Sequence, residues 1–222
     1  MTIYKSHESG EKALLDVPGL PYRVELPRVV IRAGGRSLRI ASLNLVGQIR
    51  LNHDLGLLLA GRIRSALGDL DGVAVLTVVE KALQLTQVAA QALGVEAVAV
   101  AYNRVKPHME PDARPLVQVG ADSVTSGGKL LALYERDIEI LAGATRGIIL
   151  IDDVLSTGGT ILGLLDLVEA AMNMAGRPAP ELLGIFCAAQ EGAPRVNLPA
   201  PVHALAQLPP PEAVKPGEGK KR

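Results

Sequence analysis

Tryptophan is absent from the 222-residue sequence, and phenylalanine and cysteine occur once each, as Phe186 and Cys187. A lone cysteine makes neither an internal disulfide nor a zinc cluster, so a reducing compartment, the cytoplasm, is expected. With Phe186 and four tyrosines as its aromatics, the chain has little on which to stack the bases of single-stranded RNA. Net charge is missing as well: 23 Lys and Arg balance 23 Asp and Glu. That balance removes the field that draws proteins to nucleic acid. Membrane helices need about 20 predominantly apolar residues, and the least charged stretch, 82–101, is broken by Gln84, Gln87, Gln91, Gly94 and Glu96. Residues 1–8 have no signal-peptide core. No P-loop, GxGxxG, HExxH or GxSxG pattern occurs, and His7, His53, His108 and His203 are isolated from one another in sequence.

What remains is Leu, Val, Ile and Ala in a chain 48% hydrophobic, enough for one globular core. Residues 1–40 are punctuated by Pro18, Gly19, Pro21 and Pro27, and Gly34-Gly35 reads as a turn between strand arms 29–32 and 37–40. They form an N-terminal segment packing on a main domain, 41–208. Arg23, Arg28, Arg32, Arg36 and Arg39 make this segment basic, a solvated face or a dimer surface. Apolar residues at helical spacing over 55–67 end at Gly68. A β-branched run at 73–79, helical periodicity at 80–93 and a Val/Ala-rich strand at 95–102 then form a β–α–β unit. The pieces 116–119 and 130–133 read as a mobile hairpin standing off the sheet. Strand 147–151, helix 160–175 and strand 182–189 follow, and the Pro- and Lys-rich 209–222 reads as a disordered tail. This alternation implies an α/β fold with a mainly parallel sheet flanked by helices.

The chemistry concentrates in residues 148–160, IILIDDVLSTGGT. In parallel sheets ligands bind beyond the carboxyl ends of the strands, and here the most apolar strand ends in two carboxylates. Gly158 and Gly159 permit the backbone to turn its N–H groups onto an anion. Ser156, Thr157 and Thr160 add hydroxyl donors, and the following helix presents its positive end. A phosphate suits that turn. Asp152 and Asp153 repel a phosphate but accept hydrogen bonds from sugar hydroxyls, so the pair beside the turn suits a phosphorylated ribose.

This segment resembles the phosphoribosyl diphosphate (PRPP) signature of type I phosphoribosyltransferases: four apolar residues, two acids, two apolar residues and a Thr-Gly-Gly-Thr loop. The resemblance extends over roughly residues 40–190 and is nearest to the adenine phosphoribosyltransferase-like subgroup. It implies that Asp152 and Asp153 hold the ribose 2′- and 3′-hydroxyls and that Ser156, Thr157, Gly158, Gly159 and Thr160 hold the 5′-phosphate. Lys81, Arg104 and Lys106 are the expected pyrophosphate contacts. Arg104-Val105-Lys106-Pro107-His108-Met109 is similar to a Lys-Pro-Tyr-Met segment of that subgroup. Tyr102-Asn103 stands where relatives place Arg-Lys, a departure that weakens the pyrophosphate clamp. Residues 122–128 resemble a flexible hood. A purine is expected near Phe186 and Glu191. Mg²⁺ is the implied cofactor, bound through PRPP and water rather than by a protein cage, and a homodimer is the implied assembly. The function implied is purine salvage with adenine as base, or with hypoxanthine, guanine or xanthine. The alternative is a regulator that senses PRPP or a nucleotide without turning it over.

Overall fold

The computed structural model describes residues 2–33, 35–107, 115–119 and 130–214. The hood-like 122–128, His108, Met109 and the chain beyond Val214 lie outside the described residues. Four strands open the chain: β1 (Thr2–Tyr4), β2 (Lys12–Leu15), β3 (Tyr22–Ala33) and β4 (Arg36–Ala41). Helix α1 (Ile49–Leu67), β5 (Val73–Val78), α2 (Leu83–Leu93) and β6 (Ala99–Ala101) follow. Next come β7 (Leu116–Val119), β8 (Leu131–Tyr134), α3 (Glu135–Ala142), β9 (Gly147–Leu155) and α4 (Gly159–Met174). The chain closes with β10 (Leu182–Glu191), β11 (Val202–Leu208) and β12 (Glu212–Ala213).

The central sheet runs β11-β10-β9-β5-β6, and all its pairs are parallel. Its middle strands are buried on both faces, which is why they read as unbroken apolar runs. Ile149 and Ile151 of β9 pack with Leu55, Leu59 and Ile63 of α1 in one cluster. Ile148 and Leu150 enter the opposite cluster with Leu164 and Leu167 of α4. Gly147, which opens β9, has φ +141, and a Cβ there would stand 2.5 Å from the Glu181 carbonyl oxygen. One buried hydroxyl chain crosses the interior: Thr86 donates to Thr77 at 3.1 Å, and Thr77 donates to the Ile151 carbonyl at 2.8 Å.

Several elements depart from the sequence expectation. Helix α1 starts at Ile49, six residues earlier than the periodicity marks, because Leu51 extends the apolar stripe. The Asn52 amide also donates to the Leu45 and Gln48 carbonyls. Helix α2 starts at Leu83, since residues 79–82 form a turn in which Leu83 N–H donates to the Glu80 carbonyl. Helix α3 has no counterpart in the sequence reading: its eight residues follow β8 without a break, and buried Asp137 looks out of place until its Oδ1 is seen accepting from Val100 N–H at 3.0 Å. The paired β7 and β8 do not stand off the sheet. Tyr102 and Ala132 exchange two backbone hydrogen bonds of 2.8 Å, and Leu131 and Leu133 are buried in the α4-side core.

The N-terminal strands pair as β1-β3-β4-β12, with β2 on β3. Residues 209–214 therefore do not begin a disordered tail. Glu212 and Ala213 pair with Arg39 and Leu38, and Val214 N–H donates to the Ser37 carbonyl at 2.9 Å.

Phe186, expected near a bound base, is completely buried and stacks on His203 at 4.7 Å. Its ring lies on the α1 face of the sheet, in the cluster with Leu55, Leu59 and Ile63. Phe186→Ala is expected to lower stability by about 3–5 kcal/mol in urea unfolding, as for other buried aromatic truncations; a loss below about 1 kcal/mol would contradict a core role.

Candidate functional site

Beyond the carboxyl ends of β5, β9 and β10 lies a cleft of about 740 Å³. Its floor carries Asp152 and Asp153, which sit within β9 rather than after it, because Cys187 and Ala189 of β10 keep the strand pairing through Asp152 and Val154. Ser156 and Thr160 flank the floor, Glu80 and Lys81 reach in from the turn after β5, and Glu191 closes the end of β10. Ile31 and Ile40, from the β3–β4 arm, and Leu208 of β11 form an aliphatic wall.

Both carboxylates are buried, at 8% exposure each. Asp153 N–H donates to Asp152 Oδ1 at 2.8 Å. Asp153 Oδ2 has no hydrogen-bond partner among the described residues, although Lys81 Nζ lies 3.5 Å away. A buried carboxylate oxygen without a donor is costly, and here the Lys81 ammonium supplies the opposite charge beside it. Burial, and then the neighbouring Asp153, pushes the Asp152 carboxyl well above its usual range. Burial also raises Glu191.

The turn after β9 is shaped by Gly158, whose φ of +86 places it in the left-handed region. A Cβ there would meet Val196 Cγ2 at 2.7 Å, so this glycine lies tight against the 195–198 loop. Arg195 N–H donates to the Thr157 carbonyl at 3.1 Å, fixing the same contact. Helix α4 starts at Gly159 with no side-chain cap and no acid in its first turn. Its positive end therefore faces the cleft mouth without a competing anion of its own. Thr157 is exposed, while Gly158 is buried behind the turn; Ser156 and Thr160 are the turn residues that line the cleft.

The expected cations divide. Lys81 lines the carboxylate cleft, whereas Arg104 and Lys106 line an adjoining cleft of about 500 Å³ that shares Val79, Glu80 and Asn103 with the first. Phe186 does not line either cleft. Sequence reasoning missed Ile31, Ile40 and Leu208. The signal was in the arm itself, where Val29, Val30 and Ile31 are consecutive apolar residues on strands that project past the core. Among the described residues no three His, Cys, Asp or Glu side chains form a metal cage. The acids that line the cleft are Glu80, Asp152, Asp153 and Glu191, and since they form no cage, a magnesium ion there would take most of its ligands from water and substrate oxygens.

In the folded chain the raised Asp152 carboxyl keeps a proton that the unfolded chain sheds above about pH 4. Stability therefore falls as pH rises from that value through the raised one. Asp152→Asn is expected to melt above the parent at about pH 8, with the gap closing towards about pH 4. Equal melting temperatures at both pH values would contradict the burial of this acid.

No family model matches the chain, and no curated protein matches its sequence. Solved structures do resemble it. Adenine phosphoribosyltransferase from Thermoanaerobacter pseudethanolicus is 15% identical, with a TM-score of 0.50 over 82% of this chain and 95% of that one. The enzyme from Giardia lamblia, complexed with 9-deazaadenine, is 15% identical with a TM-score of 0.49 over 81% and 93%. The enzyme from Trypanosoma brucei, in complex with AMP, pyrophosphate and ribose-5-phosphate, is 17% identical with a TM-score of 0.48 over 75% and 69%. At such identities a likeness speaks for architecture alone, and the Thermoanaerobacter match, over nearly all of its partner, shows that this chain has the fold of that phosphoribosyltransferase.

Proposed function

We propose that this protein transfers the 5-phosphoribosyl group of PRPP to a purine base, with adenine as the base, releasing pyrophosphate in nucleotide salvage. The observation that carries the reading is the pair of buried carboxyls, Asp152 and Asp153, in a cleft whose other end opens on the N-terminus of α4. A ribose hydroxyl satisfies the first and a 5′-phosphate the second. Asp152 and Asp153 accept from the 2′- and 3′-hydroxyls, and the turn from Ser156 to Thr160 binds the phosphate through backbone N–H and hydroxyl donors.

Displacement at the anomeric carbon builds positive charge on the ribose and negative charge on the leaving pyrophosphate. Asp152 and Asp153 lie under the sugar, where the charge the pair shares stabilises the first, and Lys81 draws off the second. The aliphatic wall of Ile31, Ile40 and Leu208 excludes water from the sugar and offers the base an apolar surface. Glu191 accepts a hydrogen bond from a ring N–H or amino group. Magnesium bound with PRPP would be held by Asp152, Asp153 or Glu80 through water, and supplies charge neutralisation for the leaving group. No protein nucleophile is needed, since the work is positioning and electrostatics. A homodimer is the assembly that accompanies this reading.

The second reading, a PRPP or nucleotide sensor, is favoured by Tyr102-Asn103 and by Arg104 and Lys106 lining the adjoining cleft rather than the one with the carboxylates. Purified protein with PRPP, Mg²⁺ and each purine base separates the two. Nucleotide formation with one base supports the transferase; PRPP binding with no product from any base supports the sensor. Asp152→Asn and Asp153→Asn are each expected to weaken PRPP binding by about 10- to 100-fold, the scale of a lost hydrogen bond to a charged acceptor. Unchanged affinity in both variants would contradict this assignment.

A further inference from the structure

The aliphatic wall of the cleft is borne by an arm with little support of its own. Through Pro27, β3 is flanked by β2, whose pairing runs from Lys12–Pro27 to Leu15–Val24. At Arg28 the N–H still donates to the Glu11 carbonyl at 2.8 Å; from Val29 onwards β4 is its one strand partner among the described residues, and Val29, Val30 and Ile31 are 36%, 46% and 39% exposed. A two-stranded ribbon is marginally stable by itself, and a third strand changes that. Here the third strand is β12, two residues from the C-terminal part of the chain, laid along β4 at Leu38 and Arg39. Ile40, in the cleft wall, follows directly after these positions.

Side chains reinforce the same junction. Arg28 stands where β3 changes partners. Its guanidinium meets Glu11 at 2.9 Å and Glu212 at 2.6 Å, and Arg39 lies 3.6 Å from Glu11. The Arg28 side chain is only 16% exposed, so the pairing is shielded on the arginine side. The Arg28 guanidinium holds the Glu212 carboxyl below the usual carboxylate range. Arg28 thus joins a residue near the N-terminus and one near the C-terminus to the root of the arm. Of the five arginines that read in sequence as a basic stripe, Arg28 and Arg39 brace this junction, Arg23 pairs with Asp16 at 2.7 Å on the surface, and Arg32 and Arg36 are exposed.

We infer that Arg28, Glu212 and β12 position the β3–β4 arm over the acceptor end of the cleft, making the C-terminal strand a determinant of acceptor binding although it does not itself line the cleft. The inference rests on the proposed transferase reading for its kinetic consequence and on strand pairing alone for its structural one. Three proteins test it: Glu212→Ala, a chain ending at Leu208, and Glu212→Asp. The first two are expected to raise the KM for the base about tenfold while leaving the Kd for PRPP within about twofold, and Glu212→Asp is expected to restore most of the loss. Amide exchange at Leu38 and Ile40 is expected to accelerate in the truncated chain, whatever the protein's activity. Unchanged base KM and unchanged exchange overturn the inference. So does a loss that falls equally on PRPP and base, or one that Glu212→Asp does not restore. If the parent protein makes no nucleotide, the transferase reading fails, and the exchange measurement decides the bracing by itself.

Discussion

Two adjacent carboxylates held nearly out of water at the end of β9 set the terms for the rest of the molecule. Burying even one acid is expensive without donors to satisfy it, and burying two neighbours adds their mutual repulsion. The pair is relieved only partly, by one backbone N–H and by Lys81 at ion-pair distance. In the proposed reading a ligand completes the hydrogen bonding and offsets that cost. The surroundings fit a ligand with hydroxyls at one end and a dianion at the other: a turn opened by Gly158, an uncapped helix, and a wall that keeps water away. The stability lost to the site and its binding power have the same origin.

Much of this was legible in the residues. Strand β9 and the turn after it stand out because a parallel strand buried on both faces must be apolar throughout, so Asp152-Asp153 interrupts an otherwise continuous run. The β–α–β order around β5 and β6 follows from hydrophobic periodicity and from Gly68 and Gly94, which end α1 and α2. Phe186 was misleading because a base was expected at the carboxyl edge of its strand, whereas it is the fifth of the ten residues of β10. Parity along β10 sends it to the core face instead.

Other features could not be read locally. Helix α3 is short, polar and joined to β8 without a turn, and its buried Asp137 serves β6, nearly forty residues earlier in the chain. Strand β12 is two residues long behind three prolines, a composition typical of disorder, and it is held by partners about 175 residues away. The division of Lys81 from Arg104 and Lys106 depends on where the turn after β5 places its side chains, which periodicity does not report. Long-range pairing sets all three, and it also brings both ends of the described chain to the arm that walls the cleft.

The central claim is that one sugar-phosphate spans the floor of this cleft. A crystal structure of the protein with PRPP bound tests it directly. The account predicts ribose hydroxyls within hydrogen-bond distance of Asp152 and Asp153, and the 5′-phosphate against the turn from Ser156 to Thr160. A PRPP molecule seated instead against Arg104 and Lys106, with both carboxylates untouched, would contradict it.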